Sequence, residues 1–180
     1  MIELKIEDFF RFDTETNAID FLEKAIFFIK ESETDPKNYK WVAISLFGAL
    51  YGFAVCASRG TSNDLVCYKN NSGEARLKSF VDIIKLCKNK RHMKMTSNSK
   101  HLVLTQEQNT AINILKNEIR NKFEHFSPKG WSIQIELIRK IIPQIMTVIH
   151  FLALETGNFV LLDPNRKEYV RSLLGEWQFH

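Results

Sequence analysis

The sequence predicts an all-α protein, an antiparallel helical bundle of four to five main helices plus a short C-terminal helix, in one domain spanning residues 1–180. Three observations carry this expectation. Apolar residues recur at steps of three and four along most of the chain, with little period-two alternation. Seven Gly and four Pro stand against fourteen Phe, so loops are few and apolar contacts large. At 180 residues and 44% hydrophobic, the chain is long enough and apolar enough to bury a sizeable core.

The first helix is expected from about Glu15 to Glu31, with Asp13 or Thr14 as cap and Ile19, Leu22, Ile26 and Ile29 at helical spacing. Ser32 to Asn38, holding Asp35-Pro36, reads as a turn. The second helix runs from about Tyr39 to Ala57, and its stretch from Trp41 to Ala57 carries no charge. That stretch is at the short limit for a bilayer span. Because every neighbouring segment is amphipathic and needs a core, the preferred reading is a central helix buried all round. Gly48 and Gly52 within it suit close helix packing.

A polar connection from Ser58 to Gly73 follows, then a third helix from about Glu74 to Lys90 with Leu77, Phe80, Val81, Ile84 and Cys87 on one side. Arg91 to Leu104 is basic and irregular. Thr105-Gln106-Glu107-Gln108 is a capping-box pattern that opens the fourth helix, whose stripe is Ile112, Leu115, Ile119, Phe123 and Phe126. A fifth helix is expected from about Trp131 to Thr156, kinked at Pro143 and stopped by Gly157. After the apolar patch Phe159 to Leu162, Asp163-Pro164 opens a last short helix to about Leu174.

Charge is uneven along the chain. Met1 to Lys37 holds ten acidic and five basic residues, a balance of −5, whereas Lys69 to Lys100 holds nine basic and two acidic, a balance of +7. A basic stretch of that kind attracts polyanions. Lys88, Lys90, Arg91, His92 and Lys94 are the candidate RNA-binding residues within it. Cys56, Cys67 and Cys87 are odd in number and form no CxxC, which predicts reduced thiols, no zinc site and a cytoplasmic protein. The N-terminal MIELKIEDFF is acidic and is not read as a secretory signal. No HExxH, carboxylate cluster, Gly-rich phosphate loop or GxSxG elbow is present, so neither metal nor cofactor is expected.

One hexapeptide carries the functional signal. Arg120-Asn121-Lys122-Phe123-Glu124-His125 closes the fourth helix just before the break Ser127-Pro128-Lys129-Gly130. Arg grips phosphate oxygens through a planar fork and stays charged. His takes or gives a proton near neutrality. With the stripe centred on Ile119 and 100° per residue, Arg120 falls at about +100°, Asn121 at about +200° and His125 at about +240°. Asn121 is then placed to orient His125 as its i,i+4 neighbour. Arg120 stands apart, so the site is expected to be a composite cleft, between the subunits of a homodimer. Arg120 and Glu124, also i,i+4, are the alternative pairing. His150 is expected to be a packing residue on a core-facing helix, and His92, His101 and the terminal His180 rank below His125.

The pattern Arg120-Asn121-x-x-x-His125 on the later long helix of a small helical bundle resembles the HEPN superfamily (higher eukaryotes and prokaryotes nucleotide-binding). The likeness in sequence is confined to about Ile119 to Phe126, and the helix order extends it over most of the chain. The resemblance implies catalytic roles for Arg120 and His125, with Asn121 as orienter. It further implies a metal-independent endoribonuclease of a toxin–antitoxin or phage-defence system, with RNA or nucleotide and an antitoxin protein as partners. Non-catalytic HEPN modules that bind nucleotide, RNA or protein are the alternative, and a helical interaction protein unrelated to the motif is a third.

Overall fold

Asp13 sets where the first helix begins. In the computed structural model, which describes residues 12–125, 128–158 and 163–177, its Oδ1 accepts from the Thr16 amide at 2.7 Å. The Asp13 amide in turn donates to Thr16 Oγ1 at 2.9 Å, closing a capping box. The N-terminal decapeptide, Phe126, Ser127, Phe159 to Leu162 and His180, all considered above, lie outside the described residues. Helix α1 spans Thr14–Glu31 and buries Ala18, Ile19, Leu22, Ala25 and Ile26. After one tight turn at Pro36–Asn38, α2 runs from Tyr39 to Arg59 and folds back along α1.

The two glycines of α2 determine how closely these helices lie. A β-carbon on Gly52 would sit 2.7 Å from Ala18 Cβ, and one on Gly48 would sit 2.5 Å from the Phe21 ring. Only glycine fits at those distances. Val42, Ala43, Leu46, Leu50, Phe53 and Ala54 on the remaining faces of α2 are also buried, so the helix is the centre of the core, as its charge-free sequence predicts. Two helical runs, Pro36–Arg59 and Ile135–Glu155, are long and apolar enough to cross a bilayer, and 72% and 50% of their apolar windows are buried inside the fold.

The connection after α2 departs from expectation. In place of a helix beginning at Glu74 there is an antiparallel hairpin, β1 Cys67–Lys69 with β2 Ala75–Leu77, in the register Cys67↔Leu77. Asn70 Oδ1 accepts from the Ser72 and Glu74 amides, and Gly73 adopts φ +79°, the left-handed geometry such a turn needs. Three-residue strands are too short to display alternation. Leu77, read as helical core, therefore belongs to a strand. Helix α3 starts later, at Phe80, capped by Ser79, and ends at Lys88.

A single turn, α4 at Lys90–Met93, leads into the basic segment, which is irregular but tied down. The Lys100 amide donates to Thr156 O and the Leu102 amide to Cys87 O, both at 2.8 Å. Buried Asn158 secures it further. Its Nδ2 donates to Ala57 O at 3.2 Å and Met93 O at 3.1 Å, while its Oδ1 accepts from Ser99 Oγ at 2.6 Å.

Helix α5 spans Gln106–Asn113 behind the expected Thr105/Gln108 capping box. The helix then widens into a π-helical segment, Ile114–Arg120, and closes with a short α6, Asn121–Glu124. Helix α7 runs Ile135–His150 through Pro143 and ends in a second π-helical turn, Phe151–Glu155. Helix α8, Pro164–Trp177, opens on Asp163, whose Oδ1 accepts from the Asn165 amide at 2.9 Å. Arg166 of α8 reaches Asp13 at 3.2 Å and Glu15 at 3.3 Å, and Glu15 also receives Arg59 at 3.3 Å. Among the described residues the fold is thus all-α with one small hairpin.

The glycine contact makes a direct prediction. Gly52→Ala should destabilise the protein by about 1–3 kcal/mol through overpacking against Ala18, measured by denaturant unfolding. Gly175→Ala, within α8 and with nothing within 4 Å of an added β-carbon, carries the same gain in helix propensity without the overpacking and is the comparison. Equal unfolding midpoints for the two variants would show that the helices simply move apart.

Candidate functional site

The π-helical segment decides where Arg120 points. In an i→i+5 turn each residue advances by less than the 100° of an α-helix, so the last residue of Ile114–Arg120 is swung back toward the buried stripe. Arg120 is accordingly not on the outer, polar face. Its guanidinium lies 4.7 Å from the centroid of the Phe47 ring on α2, a cation–π contact of about 0.5–1 kcal/mol.

Two further contacts and one unmet donor describe the guanidinium. Nη2 meets Glu124 Oε2 at 2.5 Å, one helical turn on. Nη1 donates to Asn121 Oδ1 at 3.0 Å. Nε is buried and meets no acceptor among the described residues, which costs about 1–3 kcal/mol where it stands. The expected Asn121–His125 pairing is therefore replaced by an Asn121–Arg120 one, and the alternative i,i+4 ion pair is formed. His125 ends α6 with an extended backbone, φ −103° and ψ 106°, and is exposed. Its amide still donates to Asn121 O at 2.9 Å.

Arg120 and Glu124 stand at one end of a cleft of about 630 Å³ between α1, α2, the hairpin and α6. Ile44, Phe47, Gly48, Tyr51, Gly52, Val55 and Arg59 all line it, at the three- and four-residue steps of one face of α2. Opposite them are Phe21 of α1 and Val66, Cys67, Ala75 and Leu77 of the hairpin region. The hairpin is held over the cleft by Tyr51 Oη, which donates to Lys78 O at 2.5 Å. Burial raises the Tyr51 phenol above its ordinary value, keeping it a donor.

The basic candidates lie elsewhere. Lys88, Lys90, Arg91 and Lys94 are exposed on and around α4, and none lines the cleft. Lys88 Nζ donates to Asn109 Oδ1 at 3.0 Å. His92 is half-buried, with Nε2 2.8 Å from Ser58 O, which makes it a structural donor joining α4 to the end of α2. His150, expected as a packing residue on a core-facing helix, is half-buried and partnered. Its side chain is 37% exposed, and Nδ1 lies 3.1 Å from Glu155 Oε1, because it sits where α7 turns π-helical.

The cleft itself was not foreseen from sequence. The signal that was available is the 44/47/48/51/52/55/59 stripe, four of its seven residues glycine or aromatic, on a helix whose sequence reads as buried all round. Compared with known protein families, with curated proteins and with solved structures, the chain gives no match.

The cysteines offer a chemical test of this geometry. Burial pushes the Cys56 and Cys87 thiols up to about 12, whereas Cys67 is half-buried at the cleft. In the native protein at pH 8, a thiol reagent such as DTNB should modify one thiol rapidly and the other two only on unfolding. Cys67→Ser should remove the fast phase. A fast phase that persists in this variant means that Cys56 or Cys87 is not buried in the core as described.

Proposed function

We propose that this chain is a HEPN-type helical domain acting as a metal-independent endoribonuclease, active as a homodimer. One observation carries the reading. At the end of a single helix a fixed guanidinium and an exposed imidazole lie five residues apart, and Asn121 braces the first of them. In this reading the RNA 2′-hydroxyl attacks the adjacent phosphorus and loses its proton to a histidine. The 5′-oxygen leaves as a hydroxyl once it is protonated. His125 serves as general base or acid, and Arg120 stabilises the charge that builds on the phosphoryl oxygens. The products are a 2′,3′-cyclic phosphate and a 5′-hydroxyl. The exposed Lys88, Lys90, Arg91 and Lys94 hold RNA through counterion release. An antitoxin protein, a phage-defence setting and a cytoplasmic location belong to the same proposal, the last supported by three free thiols.

A second reading has its own support. Glu124 holds Arg120 by the edge that a phosphate would use, which favours a non-catalytic module that binds RNA, nucleotide or protein. The pair is partly exposed, 27% for Arg120 and 34% for Glu124, and such pairs are worth about 0–1 kcal/mol. A phosphate that makes two charge-assisted bonds gains more than that. The ion pair is thus displaceable, and the nuclease reading stands first.

RNA incubated with the protein in EDTA should be cut to 2′,3′-cyclic phosphate ends. His125→Ala should slow this by about 10²–10⁴-fold, read by gel and by end-group analysis. Cleavage abolished by the chelator overturns the mechanism. Retained RNA binding without cleavage moves the conclusion to the binding module.

A further inference from the structure

The cleft beside Arg120 has the build of a small-molecule site. Its volume of about 630 Å³ is in the range that encloses a drug-sized ligand. From Phe47 to Arg59 it follows α2 over a rise of about 18 Å. The middle is apolar, with Phe21, Ile44, Val55, Val66 and Leu77 around two glycines that present no side chain. The charged groups stand at the ends, and the Tyr51 hydroxyl between them is engaged by Lys78 O.

The two ends differ in what they can receive. At one, Arg59 is already committed, to Glu15 Oε1 at 3.3 Å and Thr14 Oγ1 at 3.4 Å. At the other, Arg120 offers an Nε–Nη2 edge, the geometry that takes a carboxylate with both oxygens. Glu124 fills it by half. One oxygen meets Nη2, and Nε is left buried without an acceptor among the described residues. The cleft therefore combines an apolar trough with a single incompletely satisfied cation, and a carboxylate side chain already marks the position of the head group. One guanidinium, with no second free cation among the described residues that line the cleft, suits a monoanion better than a dianion.

We propose that the cleft binds a small amphiphilic carboxylate, its apolar body lying along α2 and its head on Arg120 in place of Glu124. The exchange is of one carboxylate for another, with Nε satisfied in the new arrangement and Glu124 released to solvent. Arg120 here is a binding group. The inference goes beyond the ribonuclease reading and stands without it, although an occupied Arg120 is closed to RNA phosphate.

Cys67, at the cleft wall, reports occupancy. The rate at which DTNB modifies it in the full chain is measured against dodecanoate and, separately, dodecanol. Dodecanoate should slow the reaction and act at a concentration about tenfold or more below dodecanol, the difference expected of a charge-assisted pair. Arg120→Met should bring dodecanoate to the level of dodecanol. Glu124→Gln, at the cleft mouth, should tighten dodecanoate severalfold and leave dodecanol unchanged, which keeps the test decisive if Arg120→Met fails to fold. Ala75→Trp, on the exposed strand β2, should fill the trough and abolish protection by both. No protection of the native protein overturns the site. Equal protection by acid and alcohol, unmoved in Glu124→Gln, overturns the head-group assignment. RNA cleavage is not read in this assay, so failure here leaves the ribonuclease reading as it was, and absence of cleavage leaves the cleft proposal as it was.

Discussion

The close approach of α1 to α2 governs the rest of the molecule. Gly52 lies against Ala18 and Gly48 beneath the Phe21 ring, so the helices are separated by little more than backbone. Dense packing of that kind leaves few ways for the remaining elements to be placed. With one side of α2 closed by α1, α7 and α3 take others, and most of α2 is buried except for the face that lines the cleft. The same glycines remove side-chain volume from the face of α2 that looks onto the hairpin. Phe21 only partly fills that space. The cleft is thus a by-product of the contact that organises the core, which is why it runs along α2 and not between two outer helices.

The helical fold was legible because its signals are local. Asp13, Thr105 and Asp163 cap where their side chains predict, and each chooses its partner within three residues. The central place of α2 follows from seventeen residues without charge, Trp41 to Ala57. What was missed depends on partners far away in the chain. The hairpin at Cys67–Leu77 is anchored by Tyr51 Oη on Lys78 O, and nothing in residues 67–77 shows that bond. Asn158 looks like a polar residue after a helix stop, yet it is buried because Ala57, Met93 and Ser99 converge on it. His92 reads as part of a basic patch until Ser58 O is found 2.8 Å away.

The candidate site shows the same division. That Arg120, Asn121 and His125 share a helix end was readable, and so was the i,i+4 option between Arg120 and Glu124. Their facing was not, because a 100° wheel assumes an unbroken α-helix. Seven residues of wider turn before Asn121 rotate Arg120 onto Phe47 and bring Asn121 to it, and His125 ends the helix exposed and with an extended backbone. A π-helical segment forfeits hydrogen-bond geometry and seldom persists without compensation. Here the compensation is visible in Leu115 and Ile119, both buried to 1% or less, with Arg120 stacked beside them.

Energetically, Arg120 is restrained on three sides and unsatisfied on the fourth. The Phe47 ring and Asn121 hold the guanidinium in one orientation, so little rotamer entropy remains to be lost when an anion arrives. Glu124 lowers the local positive charge and competes for the same edge, but through a partly exposed contact that an incoming anion outbids once it reaches Nε as well. Preorganisation and competition thus act on one group from opposite directions. An anion that makes a single contact gains too little to displace Glu124, whereas one that spans Nε and Nη2, or that brings apolar surface into the trough beside Phe21 and Val55, gains enough. For the proposed ligands the ion pair would thus act as a filter on what reaches Arg120, selecting by bidentate geometry and apolar reach and not by charge alone.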